Sequence, residues 1–305
     1  MIVPHKKTVI IICGPTAVGK TAVAIQIANH FGIEIISADS RQCFMELNIG
    51  VARPSNEELQ SVPHHFIASH SIQEDVTAAT FEQYALEKLE ILFNKKDIVV
   101  IVGGTGLYIK AFEVGLDMIP EINPAIRNEI ISNYEKNGIS WLQKEIKEKD
   151  PKFYNEGETQ NPQRMMRALE VVIGTGKSIF SFRKGEKAVR GFNILKIGLE
   201  VPKEILNERI NLRVDKMMQL GLLEEVKSLV KYKQVNALQT VGYSELFEYL
   251  EGKLNESTAV ELIKTHTRQY AKRQTTWFKR DKSISWFQPD ELGEMISFLE
   301  KHLPD

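Results

Sequence analysis

The chain has 305 residues, 43% of them apolar and 26% charged, enough for about two globular domains with a sizeable core. A formal net charge of −1 excludes a uniformly basic chain, so any nucleic-acid surface must be local. Two cysteines, Cys13 and Cys43, and no run of ~18 apolar residues argue against a disulfide framework and a membrane span; a cytoplasmic protein is expected.

The apolar run Val9-Ile10-Ile11-Ile12-Cys13 reads as a buried strand, and residues 22–28 read as a helix with an apolar face. Between them stands Gly14-Pro15-Thr16-Ala17-Val18-Gly19-Lys20-Thr21, which fits G-x-x-x-x-G-K-[ST]. In that setting backbone N–H groups and the helix N-terminus make a nest for linked phosphates. Lys20 would reach the outer phosphates, and the Thr21 hydroxyl would hold Mg²⁺. The chain is therefore expected to bind a diphosphate or triphosphate.

A second strand, residues 33–37, leads to Ala38-Asp39-Ser40-Arg41-Gln42. Ligands of open α/β sheets bind at the carboxyl ends of strands, which would put Asp39 in the same crevice as Lys20; the other role open to Asp39 is a helix N-cap. Residues 49–71 read as irregular. His64 and His65 point to opposite faces if extended and have no carboxylate or thiol neighbour, so they do not complete a zinc site. Residues 80–93 form an amphipathic helix, with Phe81, Tyr84, Ala85, Leu89 and Leu92 at helical spacing.

Residues 97–102 give another buried strand, followed by Gly103-Gly104-Thr105-Gly106-Leu107-Tyr108. Many phosphate-loop NTPases carry a metal-serving Asp at such a strand end. Here glycines would let the backbone approach a ligand beside the Thr105 hydroxyl, or simply start a helix, and the nearest strand-end acid is Asp39.

From about Leu116 to Gly191 the pattern is helical, with helices expected over 125–137, 140–147 and 162–174. Arg164 and Arg167 share one helical face. The loop 177–190 gathers Lys177, Arg183, Lys184, Lys187 and Arg190 against Glu186, as a solvated face or as a phosphate-backbone contact. Residues 193–199 return as a strand of the core. The following helix carries Arg209, Arg213 and Met217 at four-residue spacing; the arginines would pair with Glu204 or Glu208, or lie over the phosphate nest. Helices over 222–232, 258–279 and 291–302 and a short strand over 283–287 complete the chain. Residues 264–282 hold seven Lys/Arg and one acid, a basic stripe interleaved with Tyr270, Trp277 and Phe278. The expected architecture is α/β: a parallel sheet core like that of phosphate-loop NTPases, flanked by helices, over 1–117 and 192–305, with an all-helical insert over 118–191.

Taken together, the sequences at 14–21, 38–42 and 103–108 resemble the bacterial tRNA dimethylallyltransferase family. So do Asn-Pro-Gln-Arg-x-x-Arg-Ala-Leu-Glu at 161–170, Arg-x-x-x-Arg-x-x-x-Met at 209–217, Val-Gly-Tyr at 241–243 and Arg-Gln-x-Ala-Lys-Arg-Gln-x-Thr-Trp at 268–277. The matches run in the family's order over nearly the whole chain. The resemblance implies transfer of a dimethylallyl group from dimethylallyl diphosphate to N6 of adenosine 37 in tRNA, by an enzyme using Mg²⁺ and expected to be a monomer. It makes Asp39 the general base and gives Thr105 the positioning of the amine. It assigns Gly14, Thr16, Ala17, Val18, Gly19, Lys20, Thr21 and Arg213 to the diphosphate, with Thr21 on Mg²⁺. It assigns Asp39, Ser40, Arg41, Gln42, Thr105, Arg127, Gln163, Arg164, Met165, Met166, Arg167, Gln239, Thr240, Val241, Gly242, Tyr243 and Ser244 to tRNA, and makes the insert the part that grips the anticodon stem. Val51, Arg53, Phe44 and the stretch His65-Phe66-Ile67-Ala68 depart from the family pattern. From the residues alone, a small-molecule or nucleotide kinase and a non-enzymatic RNA-binding module remain the competing readings.

Overall fold

The computed structural model describes residues 6–183, 185 and 187–304, so Lys184 and Glu186 of the basic loop lie outside the described residues. The chain separates into two compact units, one running to Val114 and resuming at Val189, the other spanning Gly115–Ala188.

The larger unit is built on β1 (Thr8–Cys13), in which every residue is buried. Its side chains alternate between two apolar layers, Val9, Ile11 and Cys13 on one face and Ile10 and Ile12 on the other. A strand apolar on both faces can only sit in the middle of a covered sheet. The remaining strands are β2 (Ile35–Ser37), β3 (His64–His65), β4 (Ile98–Gly103), β5 (Asn193–Leu199) and β6 (Ile284–Phe287). All pairs are parallel, in the order β3-β2-β4-β1-β5-β6. Around them lie α1 (Lys20–Phe31), α2 (Asn56–Ser61), α3 (Ala78–Leu92) and α4 (Gly106–Val114). The smaller unit carries α5 (Pro124–Lys149), α6 (Pro151–Glu156) and α7 (Pro162–Thr175). The core then adds α8 (Lys203–Gln219), α9 (Leu222–Ser228), α10 (Tyr243–Leu250), α11 (Glu256–Phe278) and α12 (Leu292–His302).

The chain leaves β1 toward β2 and β3 on one side, returns through β4 between β1 and β2, and later adds β5 and β6 on the other side. That reversal beside β1 is where a doubly wound sheet opens a crevice. Register makes the crevice narrow: Cys13 lies opposite Gly103 and Gly198, and Ser37 opposite Val102. The loops leaving β1, β2 and β4 therefore start at one level. A Cβ on Gly103 would stand 2.2 Å from the Ala38 carbonyl oxygen, so the exits of β2 and β4 touch through backbone alone.

The structure corrects the reading of residues 49–71 as irregular. His64 and His65 form the edge strand β3, and the capping box of Ser55 and Glu58 starts α2. His65 is not without a carboxylate neighbour: its Nε2 lies 2.7 Å from Glu34 Oε2, while His64 Nδ1 faces the Val62 carbonyl. In the smaller unit α5 is two helices that meet at the non-helical Gly138 (φ 71°, ψ −167°), in keeping with the two helices expected over 125–137 and 140–147. Its core includes Ile130, Leu142, Ile146, Phe153, Met165 and Leu169.

Gly103→Ala is expected to cost about 1–3 kcal/mol, because the methyl meets main chain that cannot step aside. A lowered urea midpoint for the core unit checks it; an unchanged midpoint contradicts the close approach.

Candidate active site

Three loops meet at the crevice. The first, leaving β1, depends on unusual backbone: Gly14 has φ +146° and Gly19 +110°, and Ala17 sits at φ 65° despite its Cβ. At Gly14 a Cβ would lie 2.6 Å from the Leu199 carbonyl oxygen. Gly19 caps α1, so the helix opens on Lys20 and Thr21 with its first amides toward the crevice.

Gln274, buried on α11, ties two of the loops together. Its Oε1 accepts from the Thr16 amide at 2.8 Å, and its Nε2 donates to the Gly104 carbonyl at 2.9 Å. Gly104 has no room for a side chain, since a Cβ would stand 2.3 Å from that same Nε2. Gln274 belongs to the basic helix but was not among the residues expected to act; its signal is an uncharged amide on the buried side of a charged stripe.

Two cations face this nest. Lys20 Nζ donates to the Pro15 carbonyl at 2.8 Å, and Arg213 Nη1 donates to Thr16 Oγ1 at 3.3 Å. Arg209 Nη1 donates to the Val18 carbonyl at 3.2 Å. Both arginines of α8 thus lie against the loop, and among the described residues neither pairs with Glu204 or Glu208. Burial pulls the Lys20 ammonium down to about 8, with the neighbouring Arg213 charge adding to the effect and Asp39 opposing it. Arg213 is pulled down for the same first reason. A pair of desolvated cations with no carboxylate bound to either is a place made for an anion.

Asp39 stands beside them without joining them. Its Oδ1 accepts from the amides of Arg41 at 2.9 Å and Gln42 at 3.2 Å, closing a turn. No helix follows it, so Asp39 is not a helix N-cap: it closes a turn and lines the crevice. The third loop carries Thr105, whose Oγ1 accepts from the Ser40 amide at 3.1 Å and whose hydroxyl donates to Ser40 Oγ at 3.3 Å.

The crevice consists of two adjoining cavities. One, about 260 Å³, is lined by Ala17, Gly19, Lys20, Thr21, Ser37 and Gln42 among others. The second, about 610 Å³, is lined by Ser40, Arg41, Gln239, Thr240, Val241, Gly242 and Ser244, with Tyr270 and Arg273 of α11. Thr16, Asp39, Val51, Ala52 and Arg213 line both.

Not every residue expected to touch tRNA offers its side chain there. Tyr243 is wholly buried and donates its hydroxyl to Glu225 Oε1 at 2.6 Å. Gln42 spends its amide inside the fold, donating to the carbonyls of Val51 and Ala52 at 3.3 and 2.9 Å and accepting from Ser37 Oγ at 3.2 Å. In the smaller unit Met165 and Met166 turn into the core. Arg127 and Arg167 share the buried Glu170 carboxylate at 3.2 and 2.6 Å, which fixes their guanidiniums while leaving them half exposed. Gln163 is exposed, and Arg164 pairs with Glu158 on the surface.

Arg190 fits neither role given to the basic loop: partly buried, it pairs with Glu82 at 2.6 Å and donates to the Phe112 and Ala111 carbonyls. Along the C-terminal stripe, Lys264 pairs with Asp215 and Glu261, and Arg268 donates to Asn211. Lys272 and Arg273 stay exposed.

A sequence profile of the family described as IPP transferase matches residues 42–281. The chain is 48% identical over 304 residues to the tRNA dimethylallyltransferase of Flavobacterium johnsoniae, covering 97% of this chain and 98% of that one. It is 43% identical over 299 residues to the tRNA dimethylallyltransferase of Cytophaga hutchinsonii, covering 98% of each. Among solved structures it resembles the full-length tRNA isopentenylpyrophosphate transferase of Bacillus halodurans (TM-score 0.71, 32% identity, 98% of this chain and 97% of that chain). A eukaryotic dimethylallyltransferase acting on tRNA gives a TM-score of 0.74 at 26% identity over 97% of this chain and 77% of that chain. The chain belongs to the IPP transferase family, the tRNA dimethylallyltransferases, and is a prenyltransferase.

Proposed function

We propose that this enzyme moves a dimethylallyl group from dimethylallyl diphosphate to the exocyclic N6 of adenosine 37 in tRNA. The observation that carries the reading is the junction of the two cavities. A cationic nest lies on one side, the 239–244 loop and an exposed basic helix on the other, and Asp39 and Arg213 line both. Family membership removes the kinase reading, and the non-enzymatic one with it. A cytoplasmic location follows from a tRNA substrate. The smaller unit, with Arg127, Gln163, Arg164 and Arg167, is the part we assign to the anticodon stem.

Adenine N6 is a weak nucleophile because its lone pair is delocalised into the ring. The chemistry therefore leans on the leaving group. The loop amides, Lys20 and Arg213 bind the diphosphate and stabilise the charge that grows on it as the C1–O bond breaks. The new bond joins N6 to C1, the bonding pair of C1–O leaves with the diphosphate, and the N6 proton passes to the Asp39 carboxylate. Thr105, anchored to Ser40, orients the amine. The target base must leave its stack, at a cost of a few kcal/mol that backbone contacts offset.

Mg²⁺ belongs to this proposal as well. Thr21 lines the donor-side cavity with Lys20. Among the described residues no cluster of three His, Cys, Asp or Glu side chains could hold a metal. That donor set suits an ion taking most of its oxygens from phosphate and water. Thr21 would hold Mg²⁺ there, and the ion would help neutralise the diphosphate charge.

The direct test incubates the protein with Mg²⁺, unmodified tRNA and labelled dimethylallyl diphosphate or labelled ATP. Label in the RNA from the prenyl donor alone is the expected result; label from ATP alone rejects the reading. Asp39→Asn is expected to lower transfer ~10²-fold or more while tRNA affinity changes little. Near-normal turnover in that variant removes Asp39 from the mechanism. Arg213→Gln should lower kcat ~10²-fold and leave tRNA binding near normal. A filter-binding assay showing the reverse contradicts its phosphate role.

Lys20 also sets a pH dependence. The free protein gives up the Lys20 proton at about pH 8, whereas a bound diphosphate favours the charged ammonium. The complex therefore holds a proton that the free protein loses above that pH. Donor affinity measured without tRNA is full below pH 8 and falls as pH rises, by up to about tenfold per pH unit. In Lys20→Met the affinity is weaker and flat across that range; a wild-type profile equally flat would contradict the assignment.

A further inference from the structure

One stretch of the larger cavity takes no part in the chemistry described above. Glu245 of α10 and His266 of α11 line that cavity and not the donor-side one. The Glu245 side chain is 5% exposed, and both of its oxygens are engaged. Oε1 stands 2.6 Å from His266 Nδ1, and Oε2 accepts from the Gly242 amide at 2.8 Å. One buried carboxylate thus joins the 239–244 loop to an imidazole on the neighbouring helix. The His266 side chain itself is 41% exposed, and among the described residues its Nε2 has no hydrogen-bond partner.

A carboxylate can only accept, so this pairing puts the proton of a neutral imidazole on Nδ1 and leaves a lone pair on Nε2. The same bond fixes the ring plane. His266 therefore offers the cavity one oriented acceptor. Phosphate is the wrong guest for it, having no proton to give. The carboxylates of Glu245 and Glu248, three apart on α10 and both lining the cavity, also repel an anion. Arg41 and Arg273, elsewhere on the lining, suit phosphate better. What RNA can give to an acceptor is the proton of a ribose 2′-hydroxyl or of an exocyclic base amine.

Resting on the tRNA reaction proposed above, we propose that His266 is a further specificity-determining residue. Its Nε2 accepts a hydrogen bond from a 2′-hydroxyl or a base amine of a loop nucleotide, and Glu245 is the residue that positions the ring. The target N6 is not that donor, since Asp39 serves it.

The test measures kcat and KM for dimethylallyl transfer to an RNA hairpin of the anticodon stem and loop, with the prenyl donor saturating. One series of hairpins replaces each loop ribose in turn by 2′-deoxyribose. The other replaces each loop base except the target by its analogue without an exocyclic amine. In the unaltered enzyme one replacement should raise KM roughly tenfold, the worth of one hydrogen bond, with kcat within about twofold. The series in which it falls tells hydroxyl from amine. His266→Phe keeps a ring and removes the acceptor; it should raise KM about tenfold on the unsubstituted hairpin and respond less than about twofold to that same replacement. His266→Gln, whose amide oxygen can stand near the place of Nε2, should recover part of the response. A parent indifferent to every replacement, or a His266→Phe enzyme as responsive as the parent, overturns the assignment. So does a His266→Phe enzyme whose RNA affinity loses salt dependence, which marks a phosphate contact. Those failures leave transfer standing; a parent that transfers no prenyl group to the unsubstituted hairpin loses the reaction and this inference together.

Discussion

The site depends on keeping a carboxylate close to two buried cations without letting them neutralise one another. Lys20 and Arg213 feel the Asp39 charge, yet Lys20 is bonded to the Pro15 carbonyl and Arg213 to Thr16. Asp39 in turn is held by two backbone amides of its own turn. A direct salt bridge would be the cheaper arrangement for all three groups, since a buried ion left unpaired is costly. In the reaction proposed above, it would also leave nothing to receive the diphosphate and nothing to accept the proton. Holding the three groups apart keeps both functions available in a single crevice.

Main chain does much of that holding. The contact of Gly103 with Ala38 sets the distance between the loops carrying Asp39 and Thr105, and Gln274 locks the phosphate loop to Gly104. Glu225 plays a matching part for residues 48–50. These side chains act by spending hydrogen bonds on backbone that glycine-rich or strained segments leave exposed. The result is a preorganised pocket, and electrostatic stabilisation of a leaving group is worth most where little has to move.

How much of this could be read from the sequence follows from the range of the interactions. The phosphate loop, β1, β4 and the helices around them were legible because hydrophobic period and glycine spacing are local signals. Asp39 and Thr105 were legible because strand ends in such a sheet face one crevice. The strand His64–His65 was not, being two residues long and paired only at an edge. Glu225 gave no sign as a site builder, and Gln274 stood in the 268–277 motif without a role, since their partners lie 170 or more residues away for both Gln274 bonds and for the Glu225 bonds to the 48–50 loop. Tyr243 and Met165 carry motif positions yet are buried, and Arg190 sits in a basic run yet serves as an internal ion pair. Motif membership does not tell an exposed contact from a packing one; burial does.

The separation of Asp39 from the cations is open to one direct observation, a crystal structure with diphosphate bound. The account predicts that Lys20 Nζ leaves the Pro15 carbonyl for a phosphate oxygen and that Arg213 joins it there. The Asp39 Oδ1 bonds to the Arg41 and Gln42 amides stay as they are. A structure in which Lys20 or Arg213 pairs with Asp39 instead, or in which the diphosphate lies away from the loop between Gly14 and Thr21, would contradict it.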